Sequence, residues 1–211
     1  APVNGVVALQ DHVAADASEI TCIITGEQSV RLVDQIATQS CVLTIQSQQV
    51  TPVRYDWLPD DDQISAKTTR EVIIDSGVAG SSVLVQCLLQ TVQKQRISLR
   101  TVQKHTASHT SSEVKIHGVS DHSSRMDVQS LIHISKNIVG IQAHQVHRHL
   151  LLNSGARATS EPMLEVLSDD VKCSHGAAIS HLDAQQLFYL QSRGYSEAVA
   201  RETLVKAFLT A

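Results

Sequence analysis

Asp169-Asp170-Val171-Lys172-Cys173-Ser174-His175-Gly176 is where the character of this chain changes. Before it, short β-branched runs alternate with turn residues; after it, apolar residues recur at helical spacing. The octapeptide itself sets a thiol and an imidazole two residues apart, with Lys172 beside the thiol and Gly176 closing the turn. In an extended segment, side chains at i and i+2 lie on one side. Cys173 and His175 then reach one metal, or one edge of a cluster, together. Thiolate and imidazole are ligand types that suit zinc, iron and iron–sulfur centres. Lys172 is expected to favour the thiolate, the ligating form. The alternative is a buried, inert thiol beside a hydrogen-bonded histidine. Two protein ligands do not close a four-coordinate site, so a metal here needs ligands from elsewhere in the chain or from a partner.

Upstream, residues 1–165 have the texture of many short strands. Val6-Val7-Ala8-Leu9, Thr21-Cys22-Ile23-Ile24-Thr25, Val42-Leu43-Thr44-Ile45, Val72-Ile73-Ile74 and Val83-Leu84-Val85-Gln86-Cys87-Leu88-Leu89 are near-continuous runs that suit sheets covered on both sides or wound on themselves. Val114, Ile116 and Leu131-Ile132-His133-Ile134 alternate more clearly. Turn signals fall at Gly26, Pro52, Pro59-Asp60, Ser76-Gly77, His117-Gly118, Gly140 and Ser154-Gly155. Thr91-Val92-Gln93-Lys94 recurs as Thr101-Val102-Gln103-Lys104, an interval too short for a solenoid coil of about 20 residues or more. The pattern alone does not separate a sandwich from a β-helix.

Two further stretches carry ligand-type residues. Asp60-Asp61-Asp62 lacks the alternating spacing of an oxygen-ligand loop and is expected to be a solvated turn. In His144-Gln145-Val146-His147-Arg148-His149, a strand puts His147 and His149 on one face and His144 on the other. Two imidazoles so placed suit a divalent metal or a surface ladder alike.

Residues 183–211 are expected to form two helices. Asp183 is an N-cap with Gln186 in the capping-box position, and Arg193-Gly194 ends the first helix. Ser196 caps the second, whose stripe is Ala200, Leu204, Phe208.

Composition excludes several functions. A formal net charge of -4 with no basic run argues against nucleic acid. Cys22, Cys41, Cys87 and Cys173 are irregularly spaced, which fits free thiols in a reducing cytoplasm rather than a secreted disulfide framework. There is no signal-peptide pattern and no apolar run of the roughly 20 residues that cross a bilayer. Aromatics at 3% leave the core to Val, Leu, Ile and Ala.

Taken in order, Leu150-Leu151-Leu152-Asn153, Pro162-Met163-Leu164-Glu165-Val166, the octapeptide, Leu182-Asp183, Leu187-Phe188-Tyr189-Leu190, Ser192-Arg193-Gly194 and Ala207-Phe208 resemble the C-terminal signature of the SufB/SufD family of iron–sulfur cluster assembly proteins. The Lys-Cys-Ser-His-Gly wording is more similar to the SufD branch. The likeness runs from about His149 to the end, and SufD relatives are longer. The resemblance implies a mainly β fold: a right-handed parallel β-helix (β-solenoid) body over 1–165. A small C-terminal α-helical domain over 166–211 would carry the Cys-Ser-His-Gly segment and two helices. It implies a cytoplasmic, non-enzymatic scaffold that binds an ABC-type ATPase and pairs with a SufB-like partner or with itself. Iron or an iron–sulfur cluster would be held transiently, by Cys173 and His175, with no permanent cofactor. SufD relatives carry Asn-Arg-Asn where this chain has His147-Arg148-His149, and SufB relatives place a cluster-building Cys at the position of His147, which makes His147 an extra candidate ligand. Phe188, Tyr189 and Arg193 are the candidate ATPase contacts, since aromatics and Arg dominate interface energetics. The alternatives are a metal-free β-solenoid module, or a zinc or Cys–His hydrolase. The chain has no HExxH, no GxSxG and no phosphate-binding Gly-x-x-x-x-Gly-Lys loop.

Overall fold

A computed structural model of the chain describes residues 6–8, 19–24, 30–34, 40–47, 52–57 and 67–210. The turns expected at Gly26 and Pro59-Asp60, and the acidic run Asp60-Asp61-Asp62, lie outside the described residues. The strands are β1 (Val6–Ala8), β2 (Glu19–Ile24), β3 (Val30–Asp34), β4 (Ser40–Ser47), β5 (Pro52–Trp57), β6 (Lys67–Ser76), β7 (Ser82–Thr91), β8 (Arg96–His105), β9 (Ser111–Ser120), β10 (Arg125–Ile134), β11 (Ile141–Leu151), β12 (Arg157–Val166) and β13 (Val171–His181). Two helices complete the chain, α1 (Ala184–Ser192) and α2 (Glu197–Thr210).

Odd-numbered strands form one sheet in the order β1-β3-β5-β7-β9-β11-β13, and even-numbered strands form a second, β12-β10-β8-β6-β4-β2. Every pairing is parallel, so the chain winds from one sheet to the other and back, coil upon coil. The expected parallel β-helix body with helices after it is what the chain forms. From β4 onward a coil takes 29 to 32 residues, and the coils before it take 23 to 25, as the strand registers show. The ten-residue echo of Thr-Val-Gln-Lys is therefore no coil repeat. A truer repeat lies in the turns, where Gly80, His109 and Gly140 all take positive φ, as do Gln93 and His122. Backbone bonds join these turns from coil to coil, as from His109 N–H to Val139 O (2.8 Å) and from Gly140 N–H to Asp170 O (3.0 Å).

Burial alternates strictly along β6, β7 and β8. One face looks into the lumen between the sheets and the other is half-buried or exposed, so of the two arrangements expected for the apolar runs the chain forms the one wound on itself. Two turn signals are also corrected: Gly118 lies within β9 and Pro52 begins β5. Pro at the first residue of a strand loses no ladder bond.

The boundary expected at residue 165 falls at the end of β12, but the chain does not turn helical there. Val171–His181 pairs with β11 along its whole length, so the Cys-Ser-His-Gly segment is a strand of the last coil. The helical part begins only after Asp183, whose carboxylate accepts from the Gln185 and Gln186 backbone N–H groups. Gly194 takes the left-handed conformation between the helices (φ 94). α2 returns to the body: Val205, with Phe208 and Leu209, packs on Val119 and Leu150. The seam uses Val205 and Leu209 beside the expected Ala200 and Phe208, while Leu204 faces α1.

Towards the N-terminus the lumen is apolar, with Leu43, Ile45, Val72 and Ile74 stacked in register. One charged cluster interrupts it. Arg70 and Asp34 are fully buried with Nη2 3.4 Å from Oδ2, Tyr55 donates to the same carboxylate (2.6 Å), and the guanidinium lies 4.9 Å from the Trp57 ring centroid. Removing one partner of a buried pair strands the other charge. Asp34→Ala is expected to cost about 3–5 kcal/mol in chemical denaturation, whereas an exposed pair such as Arg201–Glu197 is worth under about 1 kcal/mol.

Candidate metal or cluster site

β13 pairs with β11 on one side, and no further strand covers its other side among the described residues. Register sets Cys173 beside Ala143 and His175 beside Gln145, both lumen-facing and fully buried. The thiol and the imidazole therefore stand on the lumen face of the final coil, where the solenoid opens. Cys173 is half-buried against Ile132, Ile134, Ile138, Ile141 and Ala143, and His175 is exposed. Burial raises the Cys173 thiol above its ordinary value, with a backbone hydrogen bond from Ala143 pulling back. The expectation that Lys172 favours the thiolate is not met. Lys172 points to the opposite, outer face, in register with exposed Gln142, and has no part in the shift.

His147 stands deeper, in β11. Its Nε2 is 2.8 Å from Ser130 Oγ and its Nδ1 2.7 Å from Ser160 Oγ, so both ring nitrogens are occupied. Its pKa falls to about 4, first through burial and then through the charges of His149 and His175. His175 is thus within electrostatic reach, but Cys173, His175 and His147 do not converge as ligands. No group of three or more His, Cys, Asp or Glu able to hold a metal occurs among the described residues. Cys173 and His175 stand together on the lumen face of the last described coil.

The rim of this opening is apolar. Met163 (44% exposed), Leu164, Val166, Leu167 and Ile179 (47%) are bare, on or just beyond the two edge strands β12 and β13. Large uncovered hydrophobics concentrated at one end mark an interaction surface. The sequence pattern missed this rim because Met163-Leu164 and Val166-Leu167 look like any core strand until the coil beyond them is absent. Phe188 and Tyr189 stand apart from it on α1, 72% and 55% exposed, and Arg193 lies 5.2 Å from the Tyr189 ring centroid. Tyr189 and Leu190 of α1 with Leu204 and Ala207 of α2 line a groove of about 520 Å³.

The fold is a parallel β-solenoid whose last described coil carries a thiol and an imidazole on its lumen face. The family described as "SUF system FeS cluster assembly, SufBD core domain" matches residues 64–208, and the chain belongs to it. Among curated relatives, it is 28% identical over 128 residues to the iron–sulfur cluster assembly protein SufD of Escherichia coli, covering 61% of this chain and 30% of that one. It is 50% identical over 66 residues to the SufBD family protein slr0076 of Synechocystis, covering 31% and 15%. It is 29% identical over 105 residues to SufB of Bacillus subtilis, covering 50% and 23%. The matched segments thus span less than a third of these relatives' lengths. Membership supports a role in SUF iron–sulfur cluster assembly. No helix among the described residues is long and apolar enough to cross a membrane.

The lumen histidines give the body a pH signature. Burial lowers His105, His147 and His149 from 6.5 to about 4. The unfolded chain therefore binds more protons than the folded one between these values. Their contribution to stability is complete above pH 6.5 and is lost as pH falls towards 4. A Tm drop on the order of 10 °C between pH 7 and pH 5, measured by calorimetry, is the expected outcome.

Proposed function

We propose that this chain is a non-catalytic scaffold component of iron–sulfur cluster assembly that holds iron or a nascent cluster at a subunit interface. The observation that carries the reading is the placing of Cys173 and His175 on the lumen face of an open coil whose two edge strands carry bare apolar side chains. A SufB-like partner, or a second copy, docks on the β12 and β13 edges and supplies the remaining ligands. Edge strands offer unpaired backbone groups that another sheet can continue. The cluster is cargo. Loading requires the Cys173 proton to leave, because the thiolate is the ligand. An ABC-type ATPase binds the helical hairpin through Phe188, Tyr189 and Arg193, and performs the hydrolysis for which this chain has no phosphate-binding loop.

The test of the ligand pair is anaerobic reconstitution with iron and sulfide of the chain together with a SufB-like partner. Cys173→Ala and His175→Ala are each expected to lower cluster uptake at least several-fold, read from the visible charge-transfer bands and bound iron, with unchanged thermal unfolding. Undiminished uptake in both variants refutes the assignment and favours a metal-free module. For the hairpin, Phe188→Asp is expected to weaken ATPase association at least ~10-fold in a binding titration, as loss of an aromatic anchor does. Because Phe188 is bare, the fold should not register the change.

A further inference from the structure

His149 sits in the lumen of the coil below the open end, 1% exposed, and neither of its ring nitrogens has a hydrogen-bond partner. Its neighbours differ. His105 is held by Thr110 (2.6 Å) and Ser112 (2.8 Å), and both nitrogens of His147 are held by serines. Buried polar groups are nearly always paired, and an unpaired one points to an ion or other ligand. An apolar side chain would fill the same space without that penalty.

The second observation is the group that His149 faces. In register with His149 on β9 is Gly118. A Cβ added at Gly118 would run into Met126 Sδ and come within 2.8 Å of His149 Nδ1, so the thioether and the imidazole converge over the bare glycine. Any side chain there would part them. From β8 onward the buried polar side chains are Thr, Ser, Gln and His, with no carboxylate among the described residues. The pair is therefore neutral and soft, with no anion to balance a divalent ion; His117 is near enough to act on His149 but is engaged by Leu209 and Phe208, and no group of three His, Cys, Asp or Glu forms among the described residues. Thioether sulfur selects copper(I), and imidazole accepts it.

We propose that Met126 and His149 form a binding site for a soft monovalent metal ion, copper(I), inside the lumen. The ion enters from the open end, past the β13 neighbour of His149, Ile179. This site shares no ligand with Cys173 and His175 and does not depend on the scaffold reading.

The experiment is an anaerobic copper(I) titration of the intact chain against bicinchoninate, in a Cys173→Ala/His175→Ala background that removes the other candidate ligands. One tightly held equivalent is expected, and adding Met126→Leu or His149→Leu is expected to weaken it at least 100-fold. Met126→Leu nearly conserves volume, and His149→Leu should raise the melting temperature of the metal-free protein by relieving the unpaired ring. X-ray absorption of the copper-loaded background protein, which needs no further substitution, should show a mixed sulfur and nitrogen shell. An unchanged equivalent in Met126→Leu, an all-sulfur shell from the remaining cysteines, or zinc(II) displacing the copper at equal concentration would each overturn the site.

Discussion

In a parallel sheet the backbone N–H and C=O groups of one strand find their partners on the next, and in a solenoid the next strand belongs to the next coil. Each turn of this protein is thus completed by its successor. Among the described residues β12 and β13 have none, and the consequence is chemical as well as structural. Ala143 and Gln145 occupy the positions of Cys173 and His175 one coil earlier, and they are sealed. Moving one coil outward turns a packing position into a reachable one.

The lumen changes character along its length. Its early coils are hydrocarbon, apart from the Arg70–Asp34 cluster. Its late coils carry two side-chain hydrogen-bond chains that cross towards the edge strand. One runs from Thr101 through Ser130 and His147 to Ser160. In the other, the Ser112 hydroxyl donates to Gln103, so His105 must donate to Ser112 through Nε2; Gln103 then donates to Gln145 and Gln145 to the Met163 carbonyl. Both chains end on β12. The strand lacking an outer neighbour is held from within, so the wall opposite Cys173 keeps its shape without a coil above it. His147, bonded to a serine on each side, is a strut in the first of these chains.

Much of this was legible in the residues. The β-branched runs marked strands, Asp183 and Gly194 marked the helix ends, and the ordered signature from Leu150 to Phe208 pointed to the family. The coil repeat was hidden because a solenoid repeats shape rather than residues: Gly80, His109 and Gly140 share one conformation with little in common chemically. Lys172 misled because adjacency in a strand means opposite faces. His149 gave no signal beyond its neighbour His147, since whether a ring nitrogen has a partner depends on the strand across the lumen, and that is a fact of three dimensions alone.

The turns have a consequence for how such a body can vary. Because the coils from β4 onward are nearly equal in length and the left-handed residues of their turns recur coil after coil, removing or adding a whole winding there leaves the remaining registers intact. A partial winding would shift lumen residues to the outside. Length in this part of the body is therefore quantised in whole windings.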